Sequence, residues 1–210
     1  FAAGSLFSAK AYESNLQAAK LACKFHQFED SLDLLEKAKI SASSSGNSVL
    51  DVDVQIAIVH CEKSHIYGKD QSEAADFGLE ILKEASLLIF DELAIKVTRA
   101  LYEARRYDEA IKLAEKLKSA ENLSTQTEGF HFHGLSISPQ ERDKSKERLS
   151  LLRQAYDLAS QSNISSLEAM VANSLAGQLS GGNDSDRVEA KELYFRSLEL
   201  KENQEIKDVK

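Results

Sequence analysis

Apolar residues recur at the three- and four-residue spacing of amphipathic helices along almost the whole chain. Leu6, Phe7, Leu16, Ala19, Ala22 and Cys23 mark a first helix over 5–25, and Leu32, Leu34, Leu35 and Ala38 a second over 29–40. The serine-rich run 41–48 reads as a flexible linker by composition. A third helix over 50–66 carries Val52, Val54, Ile56, Ile58 and Val59; this alternation also suits a strand, but the length and the helical neighbours favour helix. The turn Tyr67–Asp70 leads to a fourth helix over 71–86 and a fifth over 87–105, the latter with Leu93, Val97, Ala100 and Leu101. Arg106–Asp108 is a break, with Asp108 as N-cap of a sixth helix over 108–121. A seventh helix over 124–137, a loop holding Pro139, and helices over 141–162 and 164–179 follow. After the turn Ser180–Asp186 a tenth helix runs over 186–202, and the charged tail 202–210 reads as the start of another.

Paired in order, the helices form units over 5–40, 50–86, 87–121, 124–162 and 164–202, with starts near 12, 50, 87, 124 and 164. The interval of 37–40 residues is the mark of a helical solenoid. One helical hairpin cannot bury its apolar face alone, and stacking neighbours builds a continuous core. The clearest unit, 91–121, places Thr98 at a small position of its first helix and Leu101 three later. Tyr107 stands at its break, Ala110 and Ala114 face back across the hairpin, and Leu117 seals the next unit. In these residues the unit resembles a tetratricopeptide repeat. Unit 12–40 is similar more loosely, through Ala18, Ala19, Ala22, Phe28, Ser31, Leu35 and Ala38. Unit 164–200 is similar through Ala190, Tyr194, Ser197 and Leu198, and 124–162 keeps a small Gly134. The chain departs from the family in its longer period and in lacking the proline that closes each repeat.

The resemblance implies an all-α fold, a right-handed α-solenoid of about five antiparallel helix pairs. It also implies a concave groove, lined by the first helix of each unit, that takes an extended peptide or a partner helix. By repeat position the groove residues are Glu92, Ile95, Arg99, Tyr102 and Glu103, with Glu13, Leu16, Lys20 and Lys24 in the first unit. The set lacks the clustered Lys and Asn with which chaperone-tail-binding members clamp a carboxylate, so no such clamp is expected.

Composition sharpens this picture. One proline in 210 residues, against about ten at average usage, favours helix throughout. A net charge of −8 argues against a general nucleic-acid binder. No run of apolar residues is long enough to span a membrane. Cys23 and Cys61 make no disulfide framework and fit a reducing compartment, cytoplasmic or nuclear. The chain begins at Phe1 and reads as a fragment of a longer protein.

Candidate chemistry is sparse. Cys23 with His26, and His60, Cys61 and His65, are the residues to test for a metal, but their spacing is not that of a zinc site and none is expected. His131 and His133 flank Phe132 two apart, point away from each other, and leave one histidine expected at the surface. Gly181-Gly182 lacks the lysine and strand of a phosphate loop, and there is no nucleophile elbow. No catalytic residue, cofactor or metal is therefore expected. The function expected is a protein-interaction scaffold within a larger multi-subunit assembly, with a protein or peptide partner, no direct nucleic-acid contact and no membrane insertion. The alternative is a regulatory or sensory helical domain attached to a catalytic or DNA-binding domain. Self-association is expected through exposed array ends, where helix ten shows Leu193, Tyr194, Phe195 and Leu198.

Overall fold

The computed structural model describes residues 2–84, 91–138 and 142–208, with the side chains of 7–84, 91–138 and 143–203. The Leu6 side chain, the expected start of the fifth helix at 87–90, and Pro139 lie outside the described residues. The elements are α1 (Ala2–Lys24), α2 (Phe28–Ser45), α3 (Val49–Tyr67), α4 (Gln71–Glu84), α5 (Asp91–Glu103), α6 (Tyr107–Leu117), α7 (Leu123–Ser136), α8 (Ser145–Gln161), α9 (Ser165–Leu179) and α10 (Asp184–Asp208). A 3-10 turn, Arg142–Lys144, precedes α8. There is no strand among the described residues. The chain divides into two compact units, Phe1–Ala104 and Arg105–Lys210.

In the first unit α1 and α2 form a hairpin whose core joins Ala19, Phe28, Leu35 and Ala38 to Val52, Ile56 and Val59 of α3. The buried Ser31 hydroxyl donates to the Ala19 carbonyl at 2.8 Å, which holds the two helices at close range. α3 packs on α2, α4 and α5, but touches α1 only lightly. Val54, Ala57, Ile58 and Cys61 of α3 are buried as well. A helix covered on nearly every side shows no apolar stripe, which is why its sequence also suits a strand.

The expected linker over 41–48 is mostly helix. α2 continues through Ser45, and the hydroxyls of Ser41, Ser43, Ser44 and Ser45 donate to carbonyls four residues back at 2.7–3.1 Å. Those local bonds satisfy the serines inside the helix, and Ala42 anchors the segment in the core. The break comes at Gly46, whose φ of +77° ends α2 in a left-handed cap. Ser48 then caps α3 by accepting from the Asp51 N–H at 3.2 Å.

The second unit is built on two joined cores. Leu152, Leu175, Leu179 and Leu193 lie in one, and Ala155, Ala159, Leu167 and Val171 in the other. Gly129 lets α7 approach the α6 backbone: a Cβ there would stand 2.7 Å from the Lys118 nitrogen. α6 begins at Tyr107 with Arg106 in the capping position, so Asp108 is a first-turn acid rather than the cap. It favours the helix dipole from there. Arg105, at a φ of +59°, makes the turn. Both histidines of α7 are buried, against the expectation that one is exposed. Neighbouring helices cover α7 on two sides: His131 Nε2 meets the Ser174 hydroxyl at 2.9 Å, and Lys118 donates to His133 Nδ1 at 2.9 Å. The expected separate tail helix is instead a continuation of α10 to Asp208.

Candidate functional site

Because α1 meets α3 so sparingly, a cleft of about 430 Å³ opens along the first unit. Ala19 and Cys23 of α1, Leu35 of α2 and Ile58 and Val59 of α3 make its apolar floor. Lys20 and Lys24, one turn apart on α1, stand on one lip. Gln55 and Glu62 of α3 and Glu92 of α5 stand on the other. His26, held at a φ of +59° between α1 and α2, closes one end.

Several charges of this unit are paired: Lys39 with Asp53 at 2.5 Å, Lys63 with Glu29 at 2.7 Å, and, on the second lip, Lys96 with Glu62. Burial pushes the Glu62 carboxyl up, but the Lys96 ammonium and Arg99 outweigh it and hold it below its ordinary value. Lys20, Lys24 and Glu92 are exposed and enter no ion pair among the described residues. The Cys23 thiol is half-buried in the cleft wall, and burial first, then Glu62, raises its pKa. Cys61, behind α3, is buried against the Ala74 carbonyl, and burial pushes its thiol up to about 12.

Of the residues expected in a groove, the structure brings Lys20, Lys24 and Glu92 to this one cleft. Ile95, Arg99, Tyr102 and Glu103 are half-buried further along α5 and are not among its walls. Glu103 accepts from His65 Nδ1 at 2.5 Å and ties α5 to α3. Leu16 packs against the α1–α2 core, and Glu13 is exposed. Gln55, Ile58, Val59 and Glu62 were not anticipated. Carrying the groove positions of the first and third units onto the second would have found them, had α3 shown a clear helical stripe. Among the described residues no three His, Cys, Asp or Glu side chains converge as a metal would need.

Three solved structures share this architecture. MamA 41-end from Desulfovibrio magneticus RS-1 superposes with a TM-score of 0.61 at 16% identity, covering 92% of this chain and 97% of that one. A MamA RS-1 ArsTM double mutant gives 0.61 at 15%, covering 92% and 96%. Kinesin light chain TPR-like repeats from Podosopora anserina give 0.58 at 16%, covering 91% and 95%. The fold is that of a divergent tetratricopeptide-repeat-like protein. No family model and no curated protein matches the sequence. The likeness to these structures is one of fold, at 15–16% identity. No helix among the described residues is long and apolar enough to cross a membrane.

Proposed function

We propose that the protein is a protein-interaction scaffold that holds a peptide segment of a partner in the cleft between α1 and α3. The observation that carries this reading is the cleft itself: Lys20 and Lys24 stand on one lip and Glu92 on the other, exposed over an apolar floor and in no ion pair among the described residues. An aliphatic side chain fits the floor, acidic residues beside it meet the lysines, and a basic residue meets Glu92. The segment is extended or a single helical turn, and its partner belongs to a larger assembly. The two free thiols suit a reducing compartment, cytoplasmic or nuclear. The site binds and does not turn over a substrate.

The test is selection of peptides from a random displayed library on the intact chain. Selected peptides are expected to pair an aliphatic residue with acidic neighbours. They should bind K20E/K24E at least about tenfold more weakly, with the melting temperature unchanged because both lysines are exposed. Equal affinity for the variant would remove the cleft as the site.

A further inference from the structure

α10 carries two apolar faces. Ala190, Leu193, Ser197 and Leu200 are buried, with Ala190 and Leu193 in the core that α9 shares. On the opposite side Val188, Phe195 and Leu198 are 61%, 61% and 53% exposed, at spacings of seven and three residues. That spacing is the seam of a helix pair. Leu193, expected at the surface, belongs to the inner face. Two surface clefts, of about 410 and 520 Å³, run on either side of the Phe195–Leu198 ridge.

Charge along this outer face is polarised. Arg187 and Lys191 lie N-terminal to Phe195, and the Lys191 ammonium sits 5.8 Å from the centre of the Phe195 ring. Glu199 and Glu202 lie C-terminal to it. The local bonds of these groups lie at the surface: Arg187 to Asp184 at 3.4 Å, and Glu199 to Arg196 at 3.0 Å. Surface pairs of this kind contribute little and are free to exchange partners.

We infer that α10 pairs with α10 of a second copy, antiparallel, about a two-fold axis near Phe195. Antiparallel pairing centred there sets Lys191 opposite the second copy's Glu199, and Arg187 close to the second copy's Glu202. The axis repeats each contact, so one polarised face complements itself. Parallel pairing would oppose Lys191 with Lys191 and Glu199 with Glu199. Phe195 and Leu198 supply the apolar centre. The area is that of one helix face, which suits a weak, salt-sensitive dimer. The inference involves the second unit alone and stands apart from the cleft of the first.

Sedimentation equilibrium of the intact chain over a concentration series tests it. A monomer–dimer equilibrium on the order of 10 μM is expected, weakening with salt. F195E should abolish the dimer and leave the circular dichroism melt in place, since the side chain is exposed. K191E and E199K should each weaken dimerisation about tenfold, and K191E/E199K should restore it, because the swap recreates both pairs in an antiparallel arrangement. A monomer at every concentration up to about 500 μM overturns the inference. So does a double variant no tighter than the singles.

Discussion

The two cysteines show how burial sorts chemically identical groups. Cys61, raised to about 12 and buried, stays a thiol across the working pH range and should alkylate only when α3 opens. Cys23, half-buried in the cleft wall with a raised pKa, should alkylate in the native state, more slowly than a free thiol. Mass spectrometry after a timed iodoacetamide pulse reads both; equal labelling of the two would contradict the placement of α3. The glycines offer a second contrast. Gly129→Ala forces a methyl against α6 backbone at 2.7–2.9 Å and should destabilise by about 1–3 kcal/mol despite the gain of about 1 kcal/mol in helix propensity. At Gly177 the added methyl meets only the Tyr194 hydroxyl at 3.8 Å, so Gly177→Ala should stabilise by about 0.5–1 kcal/mol. Urea midpoints measure both.

Among the elements, α3 and α7 carry histidines whose burial couples stability to pH. Burial lowers the pKa of His60 and of His133 below 6.5, and the neighbouring Lys63 and Lys118 add to it. The unfolded chain therefore takes up protons near pH 6.5 that the folded chain refuses, so stability is full above that value and falls as pH drops below it. Chemical denaturation at pH 7.5 and 5.5 should show this loss, and H60Q/H133Q should remove most of the difference; an unchanged pH slope in that variant would contradict it. Within α6, Ala110 is fully buried. Ala110→Arg should lower stability by about 3 kcal/mol or more in thermal melts, by overpacking and by burying a charge. Ala110 and Thr98 were legible from the repeat pattern, because a position where helices nearly touch admits only small residues. Helix boundaries at Ser45 and Tyr107 were less so. Serine has a dual preference, for linkers and for bonding its own helix, and composition alone does not decide between them. The inner and outer faces of α10 both read as apolar, so Leu193 could not be told from Phe195 before α9 was seen to cover one of them.

For the molecule as a whole, low proline content and a recurring helical period were enough to anticipate the fold, and three structures at 15–16% identity share it. The candidate cleft was legible only in part. Repeat position marked Lys20, Lys24 and Glu92, but it also marked Glu103, which the structure shows bonded to His65. Whether a surface charge is free depends on what the next helix offers it, and a repeat pattern does not contain that. The proposed role of the α1–α3 cleft is to take a partner peptide on its exposed charges and apolar floor. Backbone amide shifts of the intact, isotope-labelled chain, titrated with a library-selected peptide, test it most directly. The largest shifts are expected to cluster at Ala19–Lys24, Gln55–Glu62 and Glu92. Shifts confined to the second unit, with those segments unmoved at saturation, would contradict it.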